Sequence, residues 1–117
     1  MKSTQSACVV VTTIDSLEGA EQLARKVVSA GLGACVQICP VKSFYQWQGQ
    51  IQSDDEYRLE IKSLNTAFEP LQALLRRSHP YDTPEIIALP IADASAEYLA
   101  WLVDCIETPD AGRTTQV

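Results

Sequence analysis

Two long extended runs that meet at a single glycine constrain the fold of this 117-residue chain more than any other feature. After Gly49, the stretch DEYRLEIKSL alternates between apolar and polar side chains, a period of two that is typical of a strand with one buried face. Before Gly49, alternation begins at Ala34 and leads into the aromatic stretch KSFYQWQ, whose residues suit a pleated surface. Pro40 cannot donate to a ladder, so it indicates a bulge or an edge strand. The two runs predict a long antiparallel β-hairpin that turns at Gly49.

The segment before this hairpin has the pattern of a strand and a helix. The stretch ACVVVTT, residues 7–13, is a β-branched run of the kind that is buried on both faces of a sheet. Asp15 or Ser16 can cap the helix that follows, and Gly31 or Gly33 can end it. Apolar residues recur at helical spacing between these limits: Leu17, Ala20, Leu23, Ala24, Val27 and Val28.

The segment after the hairpin predicts a helix, a strand and a final helix. Thr66 and Glu69 have capping-box spacing at the start of the second helix, and Pro80 enforces its end. The stretch EIIALPI, residues 85–91, has the composition of a fourth strand. Ser95 caps the last helix, whose apolar side comprises Tyr98, Leu99, Leu102, Val103 and Ile106.

The resulting order, βαββαβ with an extra helix, predicts an α+β fold: a ferredoxin-like sandwich with an extended β-hairpin and an extra C-terminal helix. Two helices would cover one face of a four-stranded antiparallel sheet. We expect a single domain over residues 1–106 and a flexible C-terminal tail over residues 107–117, which lacks apolar periodicity. The uncovered face and the hairpin residues Phe44, Tyr45 and Trp47 are too much apolar surface for a small monomer, which predicts self-association.

Charge and cysteine usage exclude several classes of function. A net charge of −6 and a pI near 4.6 supply no basic field for a phosphate backbone, so we expect no nucleic-acid partner. The apolar run 7–11 is too short for a signal peptide or a membrane span, which favours a cytoplasmic protein with no membrane partner. Four cysteines fit a reducing compartment. Cys35 and Cys39 would lie about 13 Å apart in a strand, too far for a disulfide, so we expect free thiols.

His79 is the only histidine of the chain and the leading candidate for a metal ligand. Imidazole binds Cu(II) and Zn(II) well, and Pro80 and Pro84 would hold the ring on a stiff turn. Other residues are expected to line the same cleft, as charged groups or as aromatic walls: Trp47, Tyr57, Glu60, Lys62, Tyr81 and Glu85. The alternative is that His79 only hydrogen-bonds the last carbonyls of the second helix.

No known catalytic motif appears in the chain: it has no G-x-S-x-G elbow, H-E-x-x-H helix, P-loop or dinucleotide fingerprint. A nucleophile pair made of Cys35 or Cys39 with His79 is conceivable, but no acid can be named that would orient the imidazole. The sequence therefore predicts a binding protein, with no enzyme activity and no organic cofactor.

Five stretches occur in an order that closely resembles the CutA family of divalent-cation tolerance proteins: GLGACV, SFYQWQGQI, DEYRLEIKS, HPYDTPEIIALP and YLAWL. The resemblance covers roughly residues 7–106. It implies a ferredoxin-like subunit, a homotrimer built on long hairpins, a cytoplasmic setting and the binding of copper or other divalent ions. Thr12 and Ser78 stand where some members carry a cysteine and a second histidine, so we expect moderate copper affinity centred on His79.

The resemblance also implies a structural kinship with the PII signalling proteins, trimers that bind small effectors between subunits. A second hypothesis follows from this kinship. The chain would be a PII-like sensor that binds a small anionic effector in intersubunit clefts, with Arg58 and Lys62 as counter-charges.

Overall fold

The structure is a computed structural model that describes residues 6–106. Its four strands form one antiparallel sheet in the order β2-β3-β1-β4. The elements are β1 (Ala7–Ile14), α1 (Leu17–Ser29), β2 (Cys35–Trp47), β3 (Gln50–Leu64), α2 (Phe68–Ser78), β4 (Ile87–Pro90) and α3 (Ala96–Cys105). The predicted α+β ferredoxin-like sandwich with an extra C-terminal helix is confirmed. The predicted tail, residues 107–117, lies outside the described residues.

The main core lies between one face of the sheet and helices α1 and α2. The apolar alternates of β3, Leu59 and Ile61, are fully buried there, as the period of two predicts. Val27 of α1 and Leu75 of α2 meet them from the helical layer and are also fully buried. Each such side chain contributes about 1.5–3 kcal/mol when it is removed from water.

Helices α1 and α3 begin where the sequence predicts. Ser16 caps α1, since its hydroxyl accepts a hydrogen bond from the Gly19 N–H at 3.0 Å. Ser95 caps α3 in the same way through the Tyr98 N–H at 3.2 Å. After α1, Gly31 has a φ of 72°, a left-handed conformation that favours glycine at a helix end.

The capping box predicted for α2 is wrong. A short 3-10 helix, Asn65–Ala67, precedes α2, and no side chain caps either helix. Thr66 lies within that 3-10 turn instead of flanking the α-helix, so its spacing to Glu69 has no capping geometry. Glu69 accepts a hydrogen bond from Gln72 at 3.3 Å instead.

The hairpin of β2 and β3 extends well beyond the four-stranded sheet. The two strands pair from Cys35–Lys62 out to Trp47–Gln50, whereas β1 pairs with β3 only from Tyr57 onward. The outer part, residues 41–56, is therefore a two-stranded ribbon of roughly 20 Å at about 3.3 Å per residue. It accounts for the 50 × 27 × 20 Å extent of the domain. The turn is at Gly49 as predicted, and its φ of 76° suits glycine.

The sheet face opposite α1 and α2, called the open face below, combines apolar and charged positions. By register, Val9 and Val11 of β1 lie there beside Leu89 and Ile87 of β4. The side chains of Leu89 and Ile87 are 48% and 44% exposed. Helix α3 covers one end of this face. There, Leu102 of α3 and Ile106 directly after it form a buried cluster with Ala7, Leu64 and Ala67. Strand β4 is shorter than the predicted 85–91, and β2, with Pro40, is an edge strand of the sheet.

Candidate functional site

His79 follows α2 directly and is buried, with 9% of its surface exposed. Its Nε2 lies 2.8 Å from the carbonyl oxygen of Thr13 in β1, and its Nδ1 accepts the Tyr81 backbone N–H at 3.2 Å. A carbonyl can only accept and an amide N–H can only donate, so the proton of the ring is on Nε2. Both ring nitrogens are thus engaged within the subunit.

The structure corrects one of the two roles considered for His79, the hydrogen bond to the last carbonyls of the second helix. The hydrogen-bonded carbonyl belongs to Thr13 of β1 rather than to the last turn of α2. Metal ligation by His79 stays a prediction, and it would require the ring to give up one of its two hydrogen bonds. Leaving a buried donor or acceptor unpaired costs about 1–3 kcal/mol.

An open hollow of about 1030 Å³ lies between the hairpin and the turn after α2, and its lining is strongly acidic. Among the described residues that line it, none is a lysine or an arginine, and six carry carboxylates. These six are Asp15, Asp54, Asp55, Glu56, Asp82 and Glu85. This surface is called the acidic hollow below. Carboxylates gathered in one concave surface focus a negative potential into it.

Two phenols hold carboxylates of the acidic hollow in place. The Tyr81 hydroxyl donates to Glu56 Oε2 at 2.7 Å, and the Tyr45 hydroxyl donates to Asp54. Burial, and then the hydrogen bond to Glu56, raise the pKa of Tyr81 well above its usual range. The hydrogen bond to Asp54 likewise raises the pKa of Tyr45. Both phenols therefore remain neutral donors across the physiological range of pH.

Lys42 forms an ion pair with one of these acids, Asp55, at an N–O distance of 3.1 Å. The two side chains are 58% and 83% exposed. Exposed ion pairs of this kind contribute little, about 0–1 kcal/mol. The acidic character of the hollow therefore persists despite Lys42.

The structure brings only part of the predicted cleft together. Trp47, Tyr81 and Glu85 line the acidic hollow. Tyr57 instead packs against the main core, because odd-numbered residues of this part of β3 face the helices. Glu60 and Lys62 lie farther along the open face and do not line the acidic hollow.

Glu60 and Lys62 each have a hydrogen-bond partner on the open face. The Arg58 guanidinium donates to Glu60 Oε2 at 2.7 Å, which raises the pKa of Arg58. Lys62 donates to Gln37 Oε1 at 2.6 Å. The two basic groups assigned to an anionic effector are therefore already hydrogen-bonded within the subunit.

Sequence reasoning missed several acids of the hollow. Asp54 and Glu56 were detectable, because residues two apart on β3 point to the same face. Asp15 and Asp82 come from the β1–α1 junction and the turn after α2, and only the fold brings them to the hairpin. Within residues 6–106, no three or more His, Cys, Asp or Glu side chains form a group that could hold a metal ion.

Two further observations concern the setting of the chain. All four cysteines are free thiols, and burial raises the pKa of Cys8 and Cys105. Among the described helices, none has both the length and the apolar character needed to cross a membrane.

Comparisons of the sequence and of the fold with known proteins lead to the same family. A family model of the CutA1 divalent ion tolerance protein matches residues 8–105. Divalent-cation tolerance protein CutA of Thermus thermophilus is 44% identical over 80% of this chain and 92% of its own length. Protein CutA, chloroplastic, of Arabidopsis thaliana is 43% identical over 85% of this chain. The chain spans only 55% of the length of that plant relative.

Solved structures agree with the sequence comparison. The periplasmic divalent cation tolerance protein CutA from Archaeoglobus fulgidus superposes with a TM-score of 0.85 at 34% identity, covering 86% of this chain and 99% of that one. The solved structure of the Thermus thermophilus protein superposes with a TM-score of 0.84 at 41% identity, with the same coverage. The family model spans nearly all described residues, and the relatives match at high identity over most of the chain. This chain therefore belongs to the CutA1 divalent ion tolerance protein family.

Proposed function

We propose that this chain acts in divalent cation tolerance as a homotrimer that binds divalent cations, copper among them, in the acidic hollow. Because no three of the described acids of one subunit form a complete metal-binding group, water or a neighbouring subunit would supply the remaining ligands. The observation that carries the proposal is the lining itself: six carboxylates and, among the described lining residues, no basic side chain. Carboxylate oxygens are common ligands of divalent ions. The relatives from Thermus thermophilus and Archaeoglobus fulgidus are both named divalent-cation tolerance proteins, which supports the same role.

The chemistry of the lining sets the expected binding behaviour. Asp82 and Glu85 are exposed on the turn after α2, so an ion can reach them directly from solvent. Glu56 and Asp54 are held by tyrosine hydroxyls and add fixed negative charge. Oxygen ligands without imidazole or thiolate discriminate poorly among divalent ions. We therefore expect moderate affinity for Cu(II) and little rejection of Zn(II).

Self-association is supported by the shape and surface of the hairpin. An isolated two-stranded ribbon is marginally stable in water, yet none of the described strands lies beside residues 41–56 to extend their ribbon. Phe44, Trp47 and Ile51 are 69%, 59% and 77% exposed on this ribbon. Copies of the chain arranged around a rotation axis would cover these side chains and complete the sheet edges. The resemblance to the family supports three copies.

The hypothesis of a PII-like sensor for an anionic effector has no comparable observation behind it. Its expected counter-charges, Arg58 and Lys62, are bonded to Glu60 and Gln37. The acidic hollow would repel an anion. We therefore assign the chain a binding role for cations rather than an enzymatic one. We place it in a reducing compartment, the cytoplasm, because its four cysteines are free thiols.

Calorimetric titration with Cu(II) and Zn(II) tests the proposal. The double variant Asp82→Asn/Glu85→Gln removes two charges from the acidic hollow with little change in shape. The matched control Glu21→Gln/Glu97→Gln removes two exposed charges from helices α1 and α3. We expect the first variant to lose about tenfold or more in affinity, equivalent to about 1.4 kcal/mol, and the control to bind like the parent. Equal binding by the two variants, or no binding by the parent, would contradict the proposal.

A further inference from the structure

We infer that His79 is a positioning residue of the acidic hollow, which clips the turn after α2 to strand β1 and thereby holds Tyr81 against Glu56. The inference rests on the proposed function in one respect, namely that the acidic hollow is where ions bind. It assigns the imidazole to the wall behind the binding surface instead of to the coordination shell.

The geometry of the clip joins parts of the chain that are distant in sequence. The Nε2–H of His79 donates to the Thr13 carbonyl, 66 residues away, at 2.8 Å. On the other side of the ring, Nδ1 accepts the Tyr81 N–H at 3.2 Å. The imidazole and the Tyr81 ring also pack at a centroid distance of 4.7 Å and an angle of 58°. One buried side chain thus connects the central strand to the turn.

Two positions of the turn after α2 cannot donate a backbone hydrogen bond, so a side-chain anchor contributes to holding it in place. The turn extends from His79 to the first residue of β4, Ile87. Pro80 and Pro84 lack an N–H and therefore cannot fix their part of the backbone through a donated hydrogen bond. The Tyr81 N–H lies between them, and His79 is its acceptor. The two prolines limit the conformations of the turn, and the imidazole determines where the turn is attached.

Tyr81 carries this attachment into the acidic hollow. Its backbone is bound to His79, and its hydroxyl donates to Glu56 of the hairpin at 2.7 Å. Asp82 and Glu85 belong to the same turn, so their positions depend on the same anchor. The series Thr13, His79, Tyr81, Glu56 therefore connects the sheet, the turn and the hairpin. His79 influences the acidic hollow without contributing to its lining.

Three variants of His79 separate positioning from ligation by copper. Asparagine retains an acceptor close to the Nδ1 position, glutamine retains a donor that can reach the Thr13 carbonyl, and alanine retains neither. We expect His79→Ala to weaken Cu(II) binding about tenfold, the factor that corresponds to roughly one net hydrogen bond, and His79→Asn and His79→Gln to recover part of this loss. If the imidazole were a copper ligand, all three variants would weaken binding alike, and that result would overturn the inference.

Nuclear magnetic resonance of the parent protein decides the inference even where a variant fails to fold. His79 is the only histidine, so the signals of the ring nitrogens need no assignment by mutagenesis. In the absence of metal we expect the tautomer protonated on Nε2, and during titration with diamagnetic Zn(II) we expect these signals to stay in place. A ring protonated on Nδ1, or ring-nitrogen signals that move as Zn(II) binds, would overturn the inference. A parent that binds no ion would refute the proposed function, while the metal-free tautomer would still decide whether His79 forms the clip.

Discussion

Replacing Gly33 with alanine tests how closely the loop after α1 approaches the core. A Cβ built at this buried residue would lie 2.7 Å from Val27 Cγ1 and 2.7 Å from Ile61 Cγ2. Carbon atoms attract one another optimally at about 3.5–4.0 Å, so both contacts are strongly repulsive. Val27 and Ile61 are fully buried and β-branched, which leaves them few alternative rotamers. We therefore expect Gly33→Ala to destabilise the fold by about 1–3 kcal/mol, the range typical of an overpacked core.

Urea unfolding at one fixed protein concentration measures this loss, since the stability of an oligomer depends on concentration. Gly19→Ala is the matched control. Its Cβ would meet the Ser16 hydroxyl at 3.0 Å and the Ile14 side chain at 3.1 Å, so these neighbours must move by a few tenths of an ångström, at some cost to the cap that Ser16 forms with this residue. The gain in helix propensity, up to about 1 kcal/mol, offsets that cost. Equal stability of the two alanine variants would refute the argument that Gly33 is required by close packing.

Three further outcomes follow from the structure. Because the folded pKa of Tyr81 is raised above the ordinary value of 10.0, its contribution to stability is fully present below pH 10 and is lost as the pH rises through the folded pKa. A titration followed by phenolate absorbance should show a late-ionising tyrosine that Tyr81→Phe removes, and an unchanged titration would contradict this. Among the described residues, Thr12 Oγ1 is a buried hydroxyl with no hydrogen-bond partner. Thr12→Val should therefore raise the free energy of unfolding, measured in urea, by about 1 kcal/mol. A free energy of unfolding below that of the parent would contradict this and indicate a partner for the hydroxyl. The double variant Phe44→Ser/Trp47→Ser should lower the mass found by light scattering, and an unchanged mass would show that these side chains are dispensable for assembly.

Most of the fold could be predicted from local patterns because they coincide with burial. The alternation of β3 predicted which side chains face the helices, and Leu59 and Ile61 are fully buried as expected. The caps at Ser16 and Ser95 were predictable because capping involves residues only three positions apart. The capping box at Thr66 failed because the same residue types also suit the 3-10 turn that forms there.

The candidate site could be predicted only in part, because its geometry depends on contacts between distant segments. The turn carrying His79, Tyr81 and Glu85 was identified from the sequence. The hydrogen bond from His79 to Thr13 was not, since no local pattern relates residues 66 positions apart. Asp15 joins the acidic hollow for the same reason, through the arrival of the end of β1 beside the turn. Sequence patterns determine the elements, whereas the register of the sheet determines which polar groups meet.

Native mass spectrometry of the purified protein, recorded without metal and after saturation with Cu(II), tests the central claim most directly, because one measurement reports both the number of subunits and the number of bound ions. We expect a trimer in both states that gains one copper ion per subunit at saturation. We expect Asp82→Asn/Glu85→Gln to remain a trimer and to need about tenfold more Cu(II) for the same gain. A monomer in the metal-free state, or a trimer that binds no copper at saturation, would contradict the account.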